Sequence, residues 1–366
     1  GDTEMIHPDP DHVYIIAEAG VNHNGERDLA FALVEAAADA GADAVKFQTF
    51  NANKLVAKSA PKAAYQNRNT DSNESQLTML QKLELSPDMH KELQSHANAL
   101  SIEFISTAFD AGSLGFLVDL GIPFFKIPSG ELANGPLLWR FAKTGKPLVV
   151  STGMATLSEV ELGLAIIAHG LTAQAEPAGL EEVWRNWSDT AVRATLDGHI
   201  SLLHCTSQYP TPMAEVNLRA MDTLGDAFGL PVGYSDHTEG DLVAITAVAR
   251  GAKIIEKHFT TDRTLAGPDH AASLEPVELK NMIEKIRGVQ QVLGTARKAP
   301  LPCEWDTRQA ARQQVVAAHD IPEGHILTRQ DLTTARCGHG LPAMELWDMI
   351  GQTAARDYQS GQAIEK

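Results

Sequence analysis

The chain has 366 residues, 43% of them hydrophobic, which suits one large folded domain with a small appendage and is too little for three domains. Thirty basic against 47 acidic side chains give a net charge of −17, a balance that repels nucleic acid and anionic membrane surfaces. No stretch approaches the roughly 20 apolar residues of a membrane helix, and the first dozen residues lack a basic segment followed by an apolar one, so a cytoplasmic protein is expected. Three cysteines with no paired spacing argue against a disulfide framework or a structural zinc site, and Cys205 reads as a small core residue.

In chain order, eight short β-branched apolar runs stop abruptly at charged or hydroxyl residues: 13–20 (VYIIAEAG), 44–50 (AVKFQTF), 103–109 (EFISTAF), 124–130 (FFKIPSG), 147–154 (PLVVSTGM), 200–207 (ISLLHCTS), 231–238 (PVGYSDHT) and 252–260 (AKIIEKHFT). Between them lie helical segments such as 28–41, with Gly41 at a plausible C-cap, and 86–100, with a Ser cap followed by Pro. Helix, glycine, strand is a βα cycle, and strands without polar alternation are buried on both faces. The predicted fold is therefore α/β, a (β/α)8 TIM barrel over residues 1–294, with polar strand ends gathered at one mouth. Two connections are long: 51–85 follows a strand end and is placed to cover the site, whereas 170–199 enters a strand from the far side and is not. Residues 295–313 (TARKAPLPCEWDTRQAARQ) show no regular period and read as a linker, leaving 314–366 as a small C-terminal unit that would lean on the barrel or a second subunit.

Side chains alternate along a strand, so Glu256 and His258 share one face, Gly233, Ser235 and His237 another, and Lys46 lies with Gln48 on the second strand. Charged groups repeating on a buried face are costly unless paired or bound to something. Two imidazoles, His237 and His258, on adjacent strand tops suit a divalent metal that keeps positions open for water and substrate, although for any lone histidine a core role is the commoner account. Asp236 and Asp269 are nearby acids able to orient the imidazoles or bind substrate. Lys46 and Lys126, with Thr107, Ser129, Ser151 and Ser235, form a second constellation fit to hold phosphate or carboxylate without a P-loop; hydroxyls at strand ends also cap helices, but that does not explain two lysines in strands. A strand lysine, Lys126 or Lys257, also admits Schiff-base aldolase chemistry, and a barrel that only binds a sugar is the non-catalytic alternative.

Taken together, AEAG at 17–20 with NHNG at 22–25, KFQT at 46–49, ES at 74–75 with LELS at 83–86, IST at 105–107, KIPSGE at 126–131, STGM at 151–154, HCTS at 204–207, YP at 209–210, GYSDHT at 233–238, IEKHFT at 255–260, DR at 262–263 and GPDH at 267–270 resemble the sialic acid synthase family. The 314–366 unit resembles that family's antifreeze-like (SAF) domain, a β-clip fold. The resemblance implies condensation of phosphoenolpyruvate with N-acetylmannosamine or a related N-acyl hexosamine, giving an N-acetylneuraminate-type acid and phosphate, or a legionaminic or pseudaminic acid by the same chemistry. It implies manganese or magnesium on His237 and His258, the donor among Lys46, Thr107, Lys126, Ser129, Ser151 and Ser235, and Glu18 as the catalytic carboxylate. It places the sugar against Gln48, Tyr209 and Asp269, with Arg336 reaching its N-acyl group across a domain-swapped homodimer. The chain departs from the family pattern at Cys337 and Ala108, where proline is common, at Ser207, and in the 170–199 insertion.

Overall fold

The structure is a computed structural model describing residues 6–7, 9–56, 62–71 and 74–366. The chain divides into two compact units, Gly1–Gly294 and Thr295–Lys366.

The first unit holds eight parallel strands, β1 (Tyr14–Gly20), β2 (Ala44–Thr49), β3 (Glu103–Ala108), β4 (Phe125–Ile127), β5 (Leu148–Ser151), β6 (Ile200–His204), β7 (Val232–Asp236) and β8 (Ile254–His258). Their order is β3-β2-β1-β8-β7-β6-β5-β4, with β3 and β4 in contact, so the sheet curls into a TIM-like barrel. Both faces are covered: consecutive residues such as Ile15 and Ile16 are each fully buried, one toward the barrel axis and one toward the helical layer. That double burial is why the strands read as unbroken apolar runs.

Helices return each strand to the next, and the local signals work as their chemistry requires. Gly41 ends the helix Arg27–Ala40 in the left-handed conformation (φ 84°), and the Ser86 hydroxyl accepts from Met89 N–H (3.1 Å) at the start of Pro87–Ala99. The 170–199 stretch folds as helices Leu180–Trp187 and Thr190–Ala194. The Trp187 indole is buried there and donates to Glu161 (3.0 Å), and no residue of the stretch lines the cavity at the polar strand ends. The connection after β2 does the opposite, returning Ala63, Tyr65, Gln66, Met79 and Leu80 to the barrel mouth.

The second unit pairs β9 (Gln314–Ala317) with antiparallel β10 (Leu332–Ala335) around its own small core of Val315, Ile321, Leu327, Leu332, Met349, Tyr358 and Ile364. Ahead of it, residues 295–313, which show no sequence period, contain a helix, Trp305–Ala311. It buries no residue of its own, so no apolar face marks it in the sequence. Among the described residues no helix is long and apolar enough to cross a membrane.

Candidate active site

Strand register brings the polar ends to one level. Glu18 on β1 lies beside Lys46 on β2 and His258 on β8; Ser235 on β7 lies beside Glu256, and Gln48 beside Thr107. A bulge between Glu18 and Gly20 turns the first strand end inward. Gly20 is required there. Its φ is +55°, and a Cβ would sit 3.0 Å from the Glu18 carboxylate and 3.6 Å from both Gln48 and the His258 ring.

At the centre are two carboxylates and two ammoniums, all buried. Lys46 Nζ approaches Glu18 at 2.6 Å, donates to Thr107 (2.9 Å) and lies 3.6 Å from Glu256. Lys126 Nζ is 3.1 Å from Glu256, which also accepts from the Ser235 hydroxyl (2.7 Å). The two acids are held in different states. Burial pushes Glu18 up to about 7, with Glu256 adding to the rise and Lys46 only partly opposing it. Burial would also raise Glu256, but Lys126, Lys46 and the Ser235 hydroxyl overcome it and keep that carboxyl well below its usual range. The result is one fixed anion beneath the lysines and one carboxyl poised near neutrality.

The histidines stand beside this cluster with ring centroids 5.7 Å apart. Burial lowers His237 to about 4 and drives His258 down as well, so both imidazoles are neutral. His237 Nδ1 meets the Thr206 carbonyl at 2.8 Å, which fixes the proton on Nδ1 and leaves Nε2 with its lone pair, 3.5 Å from Ser235. His258 Nδ1 is buried with no hydrogen-bond partner. Tyr209 packs over both rings, at 4.1 Å from His237 and 5.8 Å from His258, and is itself covered by Tyr65 at 4.8 Å. Two neutral imidazoles with uncommitted nitrogens fit a divalent cation. Among the described residues no group of three His, Cys, Asp or Glu is placed to hold one, so water or substrate oxygens would supply the remaining ligands.

Across the mouth, Ser129 accepts from Gly153 N–H (3.0 Å) and touches the Cys205 thiol (3.1 Å), which lies 3.9 Å from Ser151. A Cβ on Gly153 would fall 2.4 Å from Ser207 and 2.7 Å from both Ser129 and Cys205, so only glycine lets backbone and hydroxyls converge here.

The cavity at the barrel mouth is about 380 Å³. Glu18, Lys46, Gln48, Thr107, Lys126, Ser129, Ser151, Tyr209, His237, His258 and Asp269 all line it, while Ser235 lies just beneath, on Glu256. Arg336 is exposed on the second unit, immediately after β10. Burial lifts Asp269 to about 6. Asp236, expected near the imidazoles, instead faces the helical layer, pairing with Lys257 (3.0 Å) and accepting from Thr238. Parity explains it: Asp236 and Lys257 are out of phase with His237 and His258. Lys257 is fully buried in that pair, which removes it as a Schiff-base nucleophile. Glu256 and Tyr65 are among the cavity residues to which sequence reasoning assigns no role. Glu256 carried a signal, a charge on the His258 face of a buried strand; Tyr65, in an aperiodic connection, carried none.

The NeuB family model matches residues 33–298, and the SAF domain model matches 312–366. The chain is 45% identical to the N,N'-diacetyllegionaminic acid synthase of Campylobacter jejuni over 96% of its own length and 98% of that protein's. It is 43% identical to the protein of the same name from Legionella pneumophila (96% and 93%), and 34% identical to human N-acetylneuraminate-9-phosphate synthase (93% and 88%). The crystal structure of a sialic acid synthetase from Leptospira borgpetersenii, in complex with citrate, superimposes with a TM-score of 0.66 at 32% identity, covering 81% of this chain and 90% of that one. With the family model matched over residues 33–298, the SAF model over 312–366 and a relative 45% identical over 96% of the chain, the chain belongs to the NeuB family of sialic acid synthases and carries a SAF domain.

Proposed function

We propose that the barrel condenses phosphoenolpyruvate with an N-acylated aldose and water, releasing phosphate, and that its acceptor is the diacetamido precursor of legionaminic acid. The observation that carries the reaction is the pairing, in one cavity, of a near-neutral buried carboxyl, Glu18, with two ammoniums and two neutral imidazoles. The acceptor rests on the identities of 45% and 43% to two N,N'-diacetyllegionaminic acid synthases. Sequence reading alone favours N-acetylmannosamine.

Lys46 and Lys126, with Thr107, Ser129, Ser151 and Ser235, hold the donor's phosphate and carboxylate, drawing the two ammoniums from Glu256 toward the ligand. A divalent metal on His237 and His258, manganese or magnesium, would supply Lewis acidity toward the acceptor's carbonyl oxygen. Gln48, Tyr209 and Asp269 orient the acceptor. Carbon 3 of the donor bonds to the aldehyde carbon, leaving positive charge on carbon 2. In this reading the Glu18 carboxylate stabilises that charge and takes the proton of the water that adds to carbon 2, after which the bond from carbon 2 to the phosphate oxygen breaks. Arg336, exposed on the SAF unit, is assigned to the acceptor's N-acyl group from a partner subunit, as the family resemblance implies.

Phosphate release from phosphoenolpyruvate, measured with N-acetylmannosamine, the diacetamido legionaminic precursor and the altrose-configured pseudaminic precursor, tests the reading. The diacetamido sugar is expected to give the highest kcat/KM. No release with any of the three overturns the proposed reaction.

A further inference from the structure

Asp269 enters the cavity with nothing of its own to hold it. Its buried carboxyl lines the mouth, burial is the cause of its raised pKa, and among the described residues the side chain has no hydrogen-bond or ion-pair partner. The position of the acid is therefore set by the backbone of residues 266–273, and that backbone is fastened by side chains from elsewhere in the barrel.

The turn after β1, the strand that carries Glu18, supplies the fastening on both sides of Asp269. Asn24 stands there in the left-handed region (φ 52°), which asparagine tolerates better than most residues. Both ends of its side-chain amide are committed: Nδ2 donates to the Ala266 carbonyl (2.9 Å), and Oδ1 lies 2.8 Å from His270 Nε2. An amide oxygen only accepts, so the His270 proton is on Nε2, and Nδ1 takes the Thr260 hydroxyl at 2.6 Å. His270 is fully buried and begins the short turn His270–Ala272, so its imidazole braces the residue next to Asp269 between the chain segments that follow β1 and β8. Gly267 packs against the same pair, for a Cβ there would fall 2.7 Å from the His270 ring and 3.1 Å from Asn24 Oδ1. Further ties keep the segment in place: Asn22 donates to the Ser273 hydroxyl (3.0 Å), which donates to the Asp269 carbonyl (2.6 Å), and Asn69 donates to the Pro268 carbonyl (3.0 Å).

We infer that Asn24 and His270 are a positioning pair for the site: neither lines the cavity, and by fastening the chain on either side of Asp269 to the turn that follows Glu18 they fix where the acceptor-side acid stands relative to the catalytic one. The inference rests on the proposed synthase reading, in which Asp269 orients the acceptor. The donor's lysines and hydroxyls hang from other strands, so loosening the pair affects the acceptor and spares phosphoenolpyruvate.

The test is a mutant cycle read by phosphate release, with phosphoenolpyruvate and the diacetamido sugar varied in turn. Asn24→Gly keeps the left-handed backbone and removes both side-chain ties. It is expected to raise the acceptor KM by about tenfold while the phosphoenolpyruvate KM stays within about twofold of the wild type. Asp269→Ala deletes the acid that the pair positions, so adding Asn24→Gly to it should change the acceptor KM by less than about twofold, whereas a general structural role would multiply the two losses. His270→Phe keeps an aromatic ring, removes both nitrogens and is expected to give the same split between the two KM values, which carries the test if Asn24→Gly does not fold. A wild-type acceptor KM in either folded variant, a parallel rise in both KM values, or multiplied losses in the double variant overturns the inference, as does failure of both single variants to fold, which marks the pair as structural. The synthase reading survives each of these results as long as the wild type releases phosphate. No release by the wild type with any N-acyl acceptor removes that reading and this inference together.

Discussion

Glu18 ties the electrostatics of the cavity to its chemistry in a way that a pH profile can read. Burial pushes its carboxyl up to about 7 despite a lysine ammonium at 2.6 Å, so the group is half protonated near neutral pH. If the carboxylate accepts a proton from water in the reaction, kcat/KM must fall as pH drops through that value. With a midpoint near 7 about one tenth of the protein is competent at pH 6 and about nine tenths at pH 8, a loss of about tenfold between them. Glu18→Gln keeps the shape, removes the base and should lower turnover by about 100-fold or more at every pH, abolishing the acid limb that belongs to Glu18. The assay is steady-state phosphate release at saturating metal, with phosphoenolpyruvate binding followed separately to confirm that the donor site survives. A flat profile from pH 6 to 8, or near-normal turnover by Glu18→Gln, refutes the reasoning.

Lys257→Met strands the Asp236 carboxylate, fully buried with its partner, and should cost about 3–5 kcal/mol. At about 2.1 cal/mol/K per residue over the 294-residue unit, that lowers its Tm by about 5–8 °C in calorimetry. Lys257→Met with Asp236→Asn should recover most of the loss, because asparagine still accepts from Thr238; a double variant no more stable than the single contradicts the pairing. Asp269 has its folded pKa raised to about 6, so its contribution to stability is present at low pH and is lost as pH rises through 6. Asp269→Asn should therefore stabilise the protein at pH 8 by up to about 3 kcal/mol, lose that advantage by pH 4, and raise the KM of the acceptor; equal gains at both pH values would contradict the burial account. His258→Ala should weaken manganese binding in calorimetric titration by at least about tenfold, and unchanged affinity would remove the imidazole pair as the metal site.

Most of the site was legible because a parallel barrel writes it plainly. A strand buried on both faces leaves the axis only at its end, so Glu18, Lys46, Lys126, His237 and His258 stand out as polar residues closing apolar runs, and all five line the cavity. Lateral relations were harder. That Glu256 anchors both lysines depends on distances between β8, β2 and β4, which no single strand records. Asp236 was misplaced by proximity in sequence where alternation already pointed it outward. Cys205, read as plain core, is buried but touches Ser129 in the hydroxyl cradle. Tyr65, Met79 and Leu80 arrive on a connection without period, and only the fold shows that it returns to the mouth. The helix Trp305–Ala311 went unseen because it buries nothing.

The central claim is a condensation in which water attacks carbon 2 and the bond from carbon 2 to the phosphate oxygen breaks. Turnover of phosphoenolpyruvate and the diacetamido sugar in ¹⁸O-labelled water, with both products analysed by mass spectrometry, addresses it most directly. The account predicts label at carbon 2 of the new acid and none in the released phosphate; label in the phosphate, with carbon 2 unlabelled, would contradict it.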